Sequence, residues 1–290
     1  MVKTNVRKGN KGYRNTKGLL DASGSEGHCG PGRFPYIVYF LTILFFGLLV
    51  SCNSESAPDC FQASGDTVRD SVMVAPFTAI TVFENITLVL QEGTEQKVEI
   101  ETGANLREEV SAEVVDGRLL LRDTNDCNFF REYGATTVYV TSPNITEVRS
   151  STGWPIRSDG VLAYPNLRLI SESFSDPTSE TTDGVFDLDV ASENLQVTVN
   201  GIAYFQLRGS TETLSIVIAA GDSRIEAEAL VAQNVTLNHR GSNDILIDPQ
   251  ETLNGVIRGT GDVISFSRPE AVAVEELYKG RLVYKNDTGR

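Results

Sequence analysis

The chain has 290 residues, 40% of them hydrophobic, enough for one or two domains with a sizeable core. Its formal charge is -14. Seven Lys/Arg and two Asp/Glu fall in residues 1–52, so residues 53–290 hold 18 basic against 37 acidic groups, a net -19 that repels phosphate backbones and argues against a nucleic-acid partner. Only His28 and His239 are present, which removes most histidine-based acid–base chemistry and most His-ligated metal sites.

The first element is a leader. No charge occurs from Phe34 to Ser54, and the apolar centre runs from Tyr36 to Val50. A membrane-spanning helix needs about 20 apolar residues, more than this run supplies. A signal-peptide core needs about 7–15 behind positive charge, which Arg33 and the five basic residues of positions 3–14 supply. Leu49-Val50-Ser51-Cys52 resembles a bacterial lipobox, whose cysteine thiol takes a diacylglycerol before the chain is cut just ahead of it. The expected order is a signal peptide with an atypically long basic leader at 1–51, then lipidated Cys52 and a polar tether at 52–74. An uncleaved signal anchor with a passive Cys52 thiol is the alternative. Two acyl chains, at about 0.8 kcal/mol per buried methylene, make a stable membrane anchor.

Cys60 and Cys127 are the cysteines left outside the leader and lipobox. In an exported protein such a pair is expected to bond. Closing the long loop between them would restrict the unfolded chain by about 4 kcal/mol in the entropy model.

Beyond residue 60 alternation dominates and no long amphipathic helix is read. Ile80, Val82, Ile86, Leu88 and Leu90 fall at even spacing, and Val98 and Ile100, Leu119 and Leu121, and Val138 and Val140 continue it. Short strands between turns rich in Gly, Asn and Asp predict an all-β protein. In the C-terminal half Gly201, Gly221 and Gly241 recur at intervals of 20. Alternating runs flank each: Leu195/Val197/Val199 before and Phe205/Leu207 after, then Leu214/Ile216/Ile218 and Ile225/Ala227, then Val235/Leu237 and Ile245/Ile247. Gly259 continues the series better than Gly261, because Val263 then aligns with Ile245. A period of about 18–21 with short strands predicts a solenoid in which each rung covers its neighbour's apolar face. The expected fold is a right-handed parallel β-helix over 75–285, with glycines at the coil corners and the strand-rich segment 75–140 as an N-terminal cap. A β-sandwich explains the alternation but not the glycine interval.

"PFTAITVFENITLVLQEGTEQKVEIETGANL" (76–106), "VDGRLLLRD" (115–123), "TTVYVTSPNITEVRSSTG" (136–153) and the glycine-centred repeats together resemble the head GIN domain family. That family is described as auto-transporter adhesins and is frequent among lipoproteins of Bacteroidetes. The resemblance covers roughly 75–285 and implies a β-helical fold. "DCFQASG" and "DCNFFREY" look like the paired cysteine segments of some members. The family has no established catalytic residues, so none is carried over. This chain departs from the pattern in a polar insert at 175–184 and in Trp154-Pro155.

Enzymatic chemistry has few candidates. Glycoside cleavage needs two carboxylates in a groove, for which Asp244 with Asp262 and Asp187 with Asp189 are the pairs available. Asp183, Asp187 and Asp189 could hold Ca²⁺, but a solvated acidic corner produces the same pattern and no metal is expected. His239 aligns with Val199 and Ile257 and reads as a packing residue. Trp154 with Tyr164 could make a sugar platform, or simply close the core. Neither a phosphate-binding glycine loop nor a nucleophile elbow occurs, so no cofactor is expected. The reading is a non-catalytic, lipid-anchored outer-membrane or cell-envelope protein that shows a broad acidic face to a glycan or another surface protein. A polysaccharide lyase or hydrolase, or a structural envelope protein, is the alternative. The oligomeric state is open.

Overall fold

The computed structural model describes residues 39, 40, 42, 62–125 and 134–285. The chain divides into two units, Met1–Val50 and Ser51–Arg290. In the first, residues 39, 40 and 42 are helical. Among the described residues no helix is long and apolar enough to cross a membrane. Cys52, Cys60 and Cys127 lie outside the described residues.

The described part of the second unit is all-β apart from one 3-10 turn at Arg107–Glu109. Its strands are β1 (Thr67–Val72), β2 (Ala79–Phe83), β3 (Ile86–Glu92), β4 (Lys97–Gly103), β5 (Val110–Val115), β6 (Arg118–Asp123), β7 (Thr136–Ser142), β8 (Glu147–Ser151), β9 (Pro155–Leu162) and β10 (Asn166–Ser171). Four long strands follow: β11 (Val185–Gly201), β12 (Tyr204–Gly221), β13 (Arg224–His239) and β14 (Ile245–Ile257). The chain ends with β15 (Val263–Ser265), β16 (Ala271–Glu276) and β17 (Leu282–Tyr284). All 17 strands belong to one hydrogen-bonded sheet.

The sheet runs as two columns of parallel strands. In the first, β6, β2, β8 and β10 are followed by the second halves of β11 to β14 and then β16. In the second, β7, β3 and β9 are followed by the first halves of β11 to β14, then β15 and β17. The long strands pass from one column to the other, so the sheet curls nearly closed around one core. Both columns feed the same apolar cluster: Phe186, Leu188 and Val190 from one, Leu195, Val197 and Val199 from the other. Alternation explains this directly, since every second side chain of a strand points to the same face. The alternating residues from Ile80 to Val140 named above are all at most 1% exposed.

Leu195 pairs with Leu214, Leu214 with Val235, Val235 with Leu253 and Leu253 with Val272. The steps between these partners keep to the period read from the sequence. Phe186 stacks on Phe205 with ring centroids 4.5 Å apart. Gly201 pairs with Gly221. The Ser242 amide donates to the Gly221 carbonyl (2.9 Å), the Thr260 amide to that of Gly241 (3.1 Å) and the Gly280 amide to that of Gly259 (3.1 Å).

The N-terminal segment is not stacked in chain order. β2 lies between β6 and β8, and β3 between β7 and β9, although β6 and β7 come later in the chain. Antiparallel pairing is confined to β1–β4, β4–β7 and β5–β6. Of the expected cap at 75–140, only β4 and β5 lie outside the parallel stack. β2, β3, β6 and β7 are strands of it.

His239 occupies an inward position in register with Ile218 and Ile257 and is fully buried. Its Nδ1 accepts a long bond from the Gly241 amide (3.4 Å), and its Nε2 has no partner. Burial pushes the imidazole below its ordinary 6.5, against the pull of nearby backbone groups, Asp244 and Asp262. Below pH 6.5 the unfolded chain then binds the proton more readily than the folded one. Stability is full above that pH and falls as pH drops, by at most about 1.4 kcal/mol per pH unit. His239→Leu is expected to remove this slope between pH 7.5 and 5.5, read as the urea midpoint at each pH. An unchanged slope would assign the pH dependence elsewhere.

Candidate functional site

The carboxylates that could have done chemistry are engaged in structure. Asp244 accepts from the Asp262 amide (2.9 Å), and Asp262 accepts from the Arg281 amide (2.8 Å). Each acid thus ties its turn to the next rung. Asp187 and Asp189 both grip the Arg208 guanidinium, at 2.6 and 2.8 Å, and these bonds raise the arginine's pKa further. Asp183 accepts from the Thr181 hydroxyl at 2.5 Å. Among the described residues no group of three or more His, Cys, Asp or Glu is placed to hold a metal ion. The Trp154–Tyr164 platform is not formed. Tyr164 is fully buried, its hydroxyl donating to the Ser142 carbonyl (3.2 Å), and burial raises its pKa. Trp154 instead lies against Gly134.

One feature open to a ligand, among the described residues, is a groove on the outer face of the first column. Its floor is made by outward residues of β10, β11 and β12, and its wall by the segment that follows β10. The cavity measures about 610 Å³, with Ile170, Thr198, Val217 and Ala219 on the sheet side and Phe174 on the wall.

That wall is built around a buried ion pair. Arg149, an outward residue of β8, donates to the Glu172 carboxylate at 2.9 Å and to the Glu172 carbonyl at 2.8 Å. The side chains of Arg149 and Glu172 are 7% and 8% exposed. Glu172 also accepts from the amides of Phe174 (2.6 Å) and Ser175 (2.9 Å) and from the Ser175 hydroxyl. Burial alone would raise the Glu172 pKa. The Ser175, Arg149 and Phe174 hydrogen bonds outweigh it and hold the carboxyl at about 2. The result is a fixed turn that leaves Phe174 89% exposed at the groove's rim.

The insert therefore has a structural purpose that periodicity does not reveal. An arginine on the outer face of one strand and a glutamate just past the end of another are the only local trace. The expected broad acidic face does not describe this surface. Residues 194–200, 213–219, 234–240 and 252–258, the parts of β11 to β14 in the first column, contain no Asp or Glu and carry the exposed Arg240 and Arg258. Acids lie in the second column (Asp187, Asp189, Glu226, Glu228), in the connections (Glu193, Glu212, Asp222, Glu251) and on two other strands of the first column (Glu147 on β8, Glu275 and Glu276 on β16).

Three crystal structures share this architecture. A "putative adhesin" from Bacteroides fragilis NCTC 9343 is 18% identical with a TM-score of 0.66, covering 76% of this chain and 97% of that one. A "putative adhesin" from Parabacteroides merdae ATCC 43184 is 17% identical with a TM-score of 0.51, covering 76% and 96%. A "Putative lipid binding protein" from Parabacteroides distasonis ATCC 8503 is 14% identical with a TM-score of 0.51, covering 76% and 97%. At these identities the likeness is one of fold. None of the three descriptions names a reaction. No curated protein matches the chain. The family model "Putative auto-transporter adhesin, head GIN domain" matches residues 76–269, and the chain belongs to that head GIN domain family.

Proposed function

We propose that this is a non-catalytic binding protein of the adhesin type, held at the cell envelope by a lipid on Cys52, as an outer-membrane lipoprotein whose partner is a glycan or another surface protein. Residues 1–51 are its signal peptide, 52–74 its tether and 75–285 its head GIN domain. Cys60 and Cys127 form a disulfide near the start of the folded part. The two strand columns wind as a right-handed parallel β-helix, with Gly201, Gly221, Gly241 and Gly259 at its corners.

The observation that carries this reading is a contrast. The paired acids hold backbone amides or Arg208, whereas a groove of about 610 Å³ stands open beside the exposed Phe174. Interaction sites of this kind combine an apolar patch with a polar surround.

Intact mass of the membrane-extracted protein tests the anchor and the disulfide together. The expected mass begins at Cys52, includes two or three acyl chains and lacks two hydrogens. A full-length, unacylated mass overturns the anchor. Beads coated with the protein and passed over mixed glycan and surface-protein arrays test binding. Retention is expected on at least one class, and retention on neither overturns the binding role.

A further inference from the structure

We infer that the outer face of the first column binds an acidic glycan, whose neutral sugars lie in the groove beside Phe174 and whose carboxylate bridges Arg240 and Arg258. This rests on the binding-protein reading above and narrows its partner class.

Ile218, His239 and Ile257 are in register and face the core. The next residue of each strand faces outward. Ala219, Arg240 and Arg258 therefore stand side by side on adjoining strands, at about 4.8 Å per strand. The Arg240 amide donates to the Ile218 carbonyl (3.0 Å) and the Arg258 amide to the His239 carbonyl (2.7 Å), which fixes that order. Arg149, Arg168, Arg208 and Arg224 each hold a carboxylate. Among the described residues Arg240 and Arg258 hold none, and no side-chain hydrogen bond occupies them. Glu275 on β16, in register with Val256, forms no ion pair with either. Like charges opposite each other on neighbouring strands repel, and a body with a net -19 leaves this pair unneutralised. An anion seated between the two guanidinium groups removes the repulsion, and a carboxylate can accept from both.

The pair adjoins the groove. Ala219, next to Arg240, lines that cavity of about 610 Å³ together with Asn200, Thr198 and Val217. The positive charge thus begins about 5 Å beyond the groove's floor and extends to about 10 Å. Phe174, 89% exposed, stands on the wall of the same groove, on a turn pinned by the buried Arg149–Glu172 pair. The ring is pre-positioned, so little ordering cost remains on binding. It offers a flat apolar surface to the C–H face of a pyranose.

Thr198 and Asn200 line the groove, and Asn238 lies in register with Val217 of its floor. Hydroxyls and amides of this kind donate and accept, as sugar hydroxyls do. An acyl chain would bury them without partners, which is unfavourable. An acidic peptide would bring its own N–H and C=O groups to a sheet face whose backbone is already paired on both sides, and they would go unsatisfied. A nucleic acid, charged at every phosphate, would run past the two arginines onto acids of the connections such as Asp222 and Glu251. A glycan that mixes neutral with acidic sugars matches both the groove and the pair.

The test uses the full chain, expressed with its leader and reconstituted in phosphatidylcholine nanodiscs. Labelled nanodiscs are passed over an array of uronate- and sialate-containing glycans, each beside its carboxyl-reduced counterpart, and retained pairs are titrated calorimetrically. Hexaglutamate and monomeric dihexanoylphosphatidate are the comparison ligands. At least one acidic glycan is expected to bind, and its reduced counterpart to bind about tenfold more weakly. Arg240→Gln combined with Arg258→Gln should bring the acidic form down to the level of the reduced one and leave the reduced form unchanged. Phe174→Ala should weaken both forms about tenfold. Thermal midpoints should not fall in these variants, since all three side chains are exposed. Each of these results overturns the inference: a reduced glycan that binds as tightly as the acidic one; acidic-glycan binding that the double arginine variant or Phe174→Ala leaves intact; binding only of the phosphatidate; or binding only of hexaglutamate. Retention on surface proteins with no glycan binding overturns this inference but leaves the binding role standing. Failure with glycans, lipid, peptide and surface proteins alike removes both.

Discussion

Glu172→Gln is expected to destabilise the protein by about 3 kcal/mol at neutral pH, the range found when one partner of a buried ion pair is removed. For a domain of this size that is a fall of about 6–12 °C in the thermal midpoint. The substitution keeps the shape of the side chain and removes its charge. Arg149, 7% exposed, then keeps only Asp176, at 3.9 Å, as a charged partner. The pH dependence gives an independent reading of the same interaction. Glu172 sits at about 2 in the folded chain against an ordinary 4.5. A carboxylate whose folded pKa is depressed contributes stability that is present above the unfolded value and lost as pH falls through the folded one. The gap between parent and Glu172→Gln should therefore be full above pH 4.5 and shrink steadily toward pH 2. Replacing both residues, Arg149→Met with Glu172→Leu, should cost less than either single change, because no unpaired charge remains. A cost below about 1 kcal/mol for Glu172→Gln would show that water reaches this pair, and that the Phe174 turn is not held as described.

Gly221→Ala is the second large effect, expected at about 3 kcal/mol or more, read from urea or thermal unfolding. Gly221 has φ +98°, where L side chains are strained, and a Cβ there would lie 2.0 Å from the Gly201 carbonyl oxygen. That oxygen is not free to move away. It accepts the Asp222 amide at 2.8 Å and the Ser223 hydroxyl at 2.9 Å. The clash is with backbone of the neighbouring rung, so relief requires the rungs to separate. Gly160→Ala is the control. Its φ is +85°, but nothing lies within 4 Å of the added carbon, so it should show only the conformational penalty of about 1–2 kcal/mol. Equal costs at the two positions would mean that close approach between rungs is not what selects glycine at 221.

The two variants separate what could be read from the amino acids and what could not. The strand interval was legible because the chain returns to the same column after a nearly constant stretch of sequence. The apolar registers were legible for the same reason: Val263 aligned with Ile245 by sequence, and the two are hydrogen-bonded neighbours in the sheet. His239 was placed correctly in its column because its neighbours, Ile218 and Ile257, follow the same interval. The groove was not legible. The segment at 175–184 looked like an interruption of the period. Arg149 and Glu172 carry no local signal of their pairing, since nothing in the sequence shows that the turn between β10 and β11 folds back over β8. Asp244 and Asp262 were recognised as neighbours, but not as acceptors for backbone amides of the following turns.

The sequence by itself determined that the body is all-β, that its apolar residues face one way, and that successive strands meet at a nearly regular interval along the chain. Those properties are periodic, and a period is a local quantity. Tertiary structure alone decided that β2 and β3 slip between strands that come later in the chain, and that a buried ion pair holds Phe174 at the rim of the outer groove. Strands with the same alternation are interchangeable as hydrogen-bonding partners. Which of them become neighbours, and which charges leave water together, depends on how the whole sheet closes.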